Sequence, residues 1–426
     1  MFLHYTCKLN GLASRGVFWA AVVLLLAVTV NPGEAGAIER RKDQYPTTPS
    51  YLIFPLPYSL PGIGEGLFMP LSFSNMFGTT ADMYLVGIFG DATGTIAALD
   101  ELPLIEKTLL LDTFAQRITS ATLTQYSKRG MNTRGDDFSY LVISGYDSLS
   151  SQLRLHFDDR RIELAARFQK SHSELDRILD NRGNLITAIR PRLEEESSNW
   201  YYTFLYDYTD DYQDPRRGVR FSLGYDDNPA KTSEDPDFFT VTTSLRAYLP
   251  LGKLSTLAFN YLRSDAHVRS KGLTDLATIK ANDGIVCGVD PICLAEEDAQ
   301  ARNTRDARAH GTSMSLGGEN YMRAYPGGRF QGAHTAYFGV ELRLNFTEEF
   351  TPFNYWVWED VQTGIQMAFF YEKGTVSELT ENLWKDSRED WGVGFRLVAA
   401  SGIVYRVDWA TGSEGSNPVI IVFYPW

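Results

Sequence analysis

Residues 316–346 read LGGENYMRAYPGGRFQGAHTAYFGVELRLNF, and their second half decides the fold. From Phe338 the chain alternates without interruption. Phe338, Val340, Leu342, Leu344 and Phe346 fall on one face, and Gly339, Glu341, Arg343 and Asn345 on the other. A strand repeats every two residues, so this segment has one apolar face and one face of charged or small residues. In a soluble sandwich the charged face would meet bulk water, whereas in a membrane barrel it would line the lumen. The first half is a Gly-rich loop with Arg323 between Tyr321 and Tyr325, and with Arg329 further on.

Other stretches repeat the pattern. Val393, Phe395 and Leu397 oppose Gly394, Arg396 and Val398; Ile403, Tyr405, Val407 and Trp409 oppose Val404, Arg406, Asp408 and Ala410. Trp200, Tyr202, Phe204, Tyr206 and Tyr208 oppose Tyr201, Thr203, Leu205 and Asp207. A soluble core would not tolerate mid-strand Arg and Asp unpaired, while a wet lumen would. The chain therefore reads as all-β, a single transmembrane antiparallel barrel of about 16 strands. The segments are 64–74, 81–91, 107–115, 118–127, 137–145, 150–157, 161–169, 197–208, 217–227, 237–249, 253–264, 333–346, 359–374, 391–400, 403–412 and 418–426. Glu101 to Asp112 is also compatible with a helix. Links at Asp158–Arg160, Pro250–Gly252 and Ser401–Gly402 are tight, and those at 170–196, 265–332 and 375–390 are long and polar. Short links on one side and long ones on the other are what such a barrel requires.

The N-terminus carries an export pattern. Lys8 and Arg15 precede an apolar run, Val17 to Val30, which Asn31-Pro32-Gly33 breaks ahead of Ala35-Gly36-Ala37. Residues 1–37 read as a secretory signal peptide. Residues 38–62 read as a short periplasmic tail, too short for a folded periplasmic module, and 63–426 as the barrel, with 265–332 as a lid loop between strands 11 and 12. Removal of 1–37 takes away two cations and one anion, so the net charge of −13 becomes −14. Nucleic acid is excluded as a partner, since its binding needs many phosphate-neutralising Lys and Arg. Aromatic residues make up 13% of the chain and crowd the strand-like segments, as rings at a membrane interface would. Cys287 and Cys293 lie six apart in what export makes an oxidising compartment, and a disulfide between them is expected. No metal or cofactor site is expected, because His156, His172, His267, His310 and His334 are scattered. There is no G-x-S-x-G, H-E-x-x-H or P-loop, so an enzyme is not expected.

Gly317-Gly318, Met322-Arg323-Ala324-Tyr325 and Glu341-Leu342-Arg343 together resemble the sixth extracellular loop and following strand of the bacterial surface antigen superfamily, the outer-membrane barrels related to BamA and TamA. Ala324 stands where that family has glycine. Asp214-Pro215-Arg216-Arg217-Gly218 resembles the family's recurrent strand-entry turn. Phe370-Tyr371-Glu372-Lys373-Gly374 resembles its aromatic-x-Asp-x-Gly run, with Glu in the acid's place. The last residues, Ile420, Val422, Tyr424 and Trp426, form an every-second-residue row ending on an aromatic, and look like the C-terminal signal by which such barrels are recognised for insertion. The resemblance implies that the loop with Gly317, Gly318, Arg323 and Tyr325 folds back into the barrel, where Arg323 meets acids on the inner wall. Strand phase independently puts Glu341, Glu372 and Asp408 on the inward set. The fork of a guanidinium suits a clamp on carboxylate better than an ammonium does.

By the same resemblance the protein is expected in the bacterial outer membrane, helping to insert or translocate polypeptide. Its partners would be outer-membrane lipid, the assembly machinery, and client polypeptides or a periplasmic partner. The alternatives are a passive or gated pore, or a structural barrel that anchors a separate soluble partner.

Overall fold

The computed structural model describes residues 38–53, 55–283, 285, 287–347, 353–355, 358–361, 363–399 and 404–426. The signal peptide expected over 1–37 and the tight link expected at Ser401–Gly402 lie outside them. The chain forms one closed antiparallel barrel of 16 strands. They are β1 in two pieces (Ser50–Ile53 and Leu56–Leu60), β2 (Gly64–Ser74), β3 (Asp82–Gly90), β4 (Thr93–Ile105), β5 (Leu109–Tyr126), β6 (Phe138–Phe157), β7 (Ile162–Leu179) and β8 (Leu185–Thr209). There follow β9 (Gly218–Asn228), β10 (Asp237–Leu251), β11 (Ser255–Ser270), β12 (His334–Asn345), β13 (Thr363–Ser377), β14 (Arg388–Ala399), β15 (Val404–Gly412) and β16 (Gly415–Val422). A small hairpin, Phe353–Tyr355 with Trp358–Val361, lies in the link from β12 to β13. Each strand pairs with its sequence neighbour, β9 also closing on β8, so the ring has one seam, between β1 and β16.

The expected strand number is met through offsetting differences. β1 was expected to be part of the tail; its prolines, 55 and 57, suit an edge rather than a central strand. β4 was missed because Glu101 sits at φ 56 where the register with β5 slips, a bulge that breaks the alternation. Segments 107–115 and 118–127 are one strand, β5, and 137–145 and 150–157 are one strand, β6. The long link expected at 170–196 is mostly a hairpin in which β7 and β8 continue to a turn at residues 180–184. The lid, 271–333, contains two helices, α1 (Leu276–Asn282) and α2 (Pro291–His310). Asp275 and Asp290 cap their N-termini, accepting from the amides of Thr278 and Ile292, and Pro291 opens α2. No described helix is long and apolar enough to cross a membrane.

Alternation sets the two surfaces. Phe369, Phe395, Trp409, Trp200 and Tyr202 are exposed on the outside, while Glu341, Arg343, Glu372, Arg396, Arg406 and Asp408 are fully buried on the inside. The apolar interior is the lid itself: Leu316, Met322, Tyr325 and Phe330 pack with Leu262, Tyr337, Phe370 and Val376 of the wall. The lid thus supplies the core that a hollow barrel lacks. The described residues from Ile38 to Tyr45 and the last residues, Tyr424 to Trp426, lie at the mouth opposite the lid, called here the terminal mouth.

Candidate functional site: a lid arginine clamped to the lumen wall

The lid returns to the wall through a tight loop whose backbone only glycine suits. Gly317 and Gly318 stand at φ 106 and 104, and a Cβ on Gly317 would lie 2.0 Å from the Pro326 carbonyl oxygen. Their amides donate to the carbonyls of Tyr321 (3.0 Å) and Tyr325 (2.8 Å), closing the loop around Arg323. The Arg323 side chain is completely buried and reaches three strands at once. Nη1 donates to Asp408 Oδ2 on β15 at 2.7 Å, Nε to Glu372 Oε1 on β13 at 3.2 Å, and both Nη atoms approach Glu341 Oε2 on β12 at 3.4 Å. The guanidinium lies over the Phe370 ring, 3.4 Å from its centroid. Its own amide donates to Glu372 Oε2 at 2.9 Å. Glu341, Glu372 and Asp408 are thus brought together on one cation.

Further residues complete the cluster. Arg396 binds Glu341 through two parallel bonds of 2.6 Å, and Arg343 Nε donates to Glu341 Oε1 at 2.7 Å. Arg406 pairs with Asp408 and also donates to the carbonyls of Glu319 and Phe423. Tyr337 donates to Glu372 Oε1 at 2.7 Å. Asp390 accepts from the Ala324 amide at 2.8 Å, and Asn417 donates to the Ala324 carbonyl. Ala324 therefore keeps a close backbone approach with its methyl in place. Arg343, Arg396 and Arg406 lie on the inward phase of their strands, the signal by which sequence reaches them. Asp390 lies on that phase too, but one residue before the expected start of β14. Tyr325 donates to the Glu389 carbonyl at 3.0 Å and accepts from the Ser413 amide at 3.2 Å.

A second clamp holds the same loop higher up. Arg329 meets Glu414 through two bonds of 2.8 and 2.6 Å, and its two Nη atoms donate to the hydroxyl and carbonyl of Thr133 at 2.6 and 2.8 Å. Glu414 sits in the turn between β15 and β16, so this clamp holds the hairpin that carries β16.

The Omp85 superfamily domain matches residues 147–411, more than half of the chain. The chain belongs to the Omp85 superfamily. Among solved structures this Omp85 barrel is similar to BamA from Haemophilus ducreyi lacking POTRA domains 1–3 (TM-score 0.49, 12% identity, 88% of this chain and 69% of that one). It is also similar to CdiB from Escherichia coli (0.49, 11%, 88% and 61%) and CdiB from Acinetobacter baumannii (0.47, 9%, 87% and 59%), so it spans less than two thirds of either CdiB chain. No curated protein matches the chain.

The remaining residues singled out in this Omp85 chain divide. Cys287 and Cys293 are joined by a disulfide that ties the link after α1 to the first turn of α2. Ile420 and Val422 pair directly with the outward-facing Val407 and Tyr405, so they hold the expected outer row. Tyr424 and Trp426 do not. Phe423 takes φ 79, which reverses the phase and leaves its own ring outside; Tyr424 and Trp426 turn into the barrel. Tyr424 donates to Asp214 Oδ1 at 2.6 Å, and Arg343 lies over its ring at 4.1 Å. Among the described residues no cluster of three or more His, Cys, Asp or Glu is arranged to hold a metal. His156 is occupied by Glu163, 3.0 Å away, and Tyr45.

Proposed function

We propose that this barrel lies in the bacterial outer membrane, with its termini in the periplasm and its lid outside, and assists the insertion or translocation of polypeptide there. One observation carries the reading. Among the described residues every other strand junction of the ring is paired over many register positions, as where β15 meets β16 from Tyr405↔Val422 to Gly412↔Gly415, but β1 and β16 share the single pair Ile420↔Ser59. Backbone donors and acceptors facing hydrocarbon without partners are costly. An edge left this way is a template for an incoming strand. One strand from it the wall is clamped by Arg323, and the β15–β16 turn is held by Arg329, so the seam opens without the lid leaving. A passive pore is less favoured, because the lid's apolar core fills the lumen.

The test is to close the seam. Directly paired residues have Cβ atoms within disulfide reach, so Ser59→Cys with Ile420→Cys should cross-link under oxidation. In vesicles that contain the protein, insertion of an unfolded outer-membrane barrel polypeptide should stop on oxidation and return on reduction. Insertion at an unchanged rate through a fully cross-linked seam would refute the reading.

A further inference from the structure

The terminal mouth holds a cluster that neither the clamp nor the seam requires. Asp207 at the end of β8, with Asp210, Asp211 and Asp214 in the turn to β9, are all buried. Carboxylates packed this closely in shelter need cations. Local residues supply two: Arg220 stands 3.0 Å from Asp207, and Arg216 3.2 Å from Asp214. The rest come from the tail, which leaves β1 on the opposite side of the ring. Arg40 reaches Asp207 at 3.2 Å. Arg41 donates to the Asp214 carbonyl at 2.8 Å and stands 3.4 Å from its carboxylate and 3.7 Å from Asp211. Lys42 lies 3.5 Å from Asp211.

The backbone is gripped as well. The Arg41 amide donates to the Asp210 carbonyl at 2.6 Å, and Arg161 donates to the Ile38 carbonyl at 2.6 Å. Gln44 and Tyr45 are buried, the Tyr45 hydroxyl lying 3.1 Å from His156 Nδ1, and Arg160 donates to the Gln44 carbonyl at 3.4 Å. Residues 38–49 belong to no helix or strand. They are held through main-chain hydrogen bonds, charge pairs and one ring in a pocket, which is how a protein holds a bound peptide.

We propose that Asp207, Asp211 and Asp214 form a peptide-binding cradle for an extended basic segment, filled in this chain by its own Arg40-Arg41-Lys42. The ligand class is a short peptide with adjacent guanidiniums and, four residues after the second, an aromatic ring, and a partner carrying that pattern competes with the tail for the site. Asp214 is shared: its Oδ2 faces Arg41 and Arg216, while its Oδ1 takes the Tyr424 hydroxyl. Occupancy of the cradle and the chain end that follows β16 therefore meet on one carboxylate. Burial opposes the Asp214 charge, yet Arg216 and Arg41 hold its pKa down at about 2, so Asp214 stays ionised through the physiological range.

Two measurements test this, neither of which depends on insertion activity. In a Cys7→Ser background, where Cys287 and Cys293 are paired, a Gln44→Cys thiol reports whether the tail is docked. A polar maleimide should label it at least about tenfold faster once Arg41→Gln and Lys42→Gln, or Asp211→Asn, are added. In the second arm, a barrel lacking residues 38–49 should bind a peptide of residues 38–45, and not the same peptide with Arg40, Arg41 and Lys42 replaced by Gln. Fast labelling of the parent, no acceleration in the variants, or equal binding of the two peptides would overturn the proposal. If the shortened barrel does not assemble, the labelling arm decides.

Discussion

Two neighbouring regions of the ring are built on opposite principles. From β12 to β15 the register is continuous, and the inner face is tied by four guanidiniums and four carboxyls: Arg323, Arg343, Arg396 and Arg406 with Glu341, Glu372, Asp390 and Asp408. One strand further on, β16 meets β1, among the described residues, through a single register pair and no charge cluster. The contrast explains why the lid is anchored where it is. A loop clamped to the wall beside a gap stiffens one lip of the gap, so motion is confined to the strands that have fewest bonds to lose. Stability in a folded protein is distributed unevenly, and openings follow the weakest unit.

The largest effect should come from removing Arg323. Arg323→Ala leaves three carboxylates in the lumen short of one cation, a loss of about 3–5 kcal/mol for a buried pair broken on one side. Protease should then cut between Gly317 and Gly332 in intact membranes. Arg323→Lys should recover only part of the protection, since a compact ammonium cannot reproduce the planar fork that meets all three carboxylates. Unchanged cleavage and stability in Arg323→Ala would mean that the clamp does not distinguish this wall from the seam.

Arg329→Gln should act in the same direction but more weakly, by about 1–3 kcal/mol. Its acid, Glu414, is partly open to water at 21% exposure, so the unpaired charge is less costly. Because Glu414 lies in the β15–β16 turn, this change should also raise hydrogen exchange in β16, measured by mass spectrometry, while that in β13 stays as it was. A rise in β13 alone would show that Arg329 holds the wall rather than the lip.

How much of this was legible in the sequence follows from where water is. β12, β13 and β15 cross between hydrocarbon and lumen, so their alternation is strong and gives the inward set, including Glu341, Glu372 and Asp408. The upper parts of β7 and β8 carry stretches such as Lys170 to Arg177, whose faces are polar on both sides, and a strand without an apolar face gives no period to read. The prolines of β1 imitate a linker because its seam side asks for almost no hydrogen bonds. Helix α2 was marked by Asp290-Pro291, an N-cap followed by proline, within a stretch otherwise read as loop. The inward turn of Tyr424 and Trp426 depends on one backbone angle, at Phe423, that no side-chain pattern announces.

The central claim is that a clamped wall stands beside a nearly unpaired seam, and amide hydrogen exchange on the folded barrel in membranes tests it most directly. The account predicts that amides of β1 and of β16 from Gly415 to Val419 exchange at least about a hundredfold faster than those of β13 from Gln366 to Gly374, because only the latter are paired on both sides. Equal protection of the two sets would contradict it.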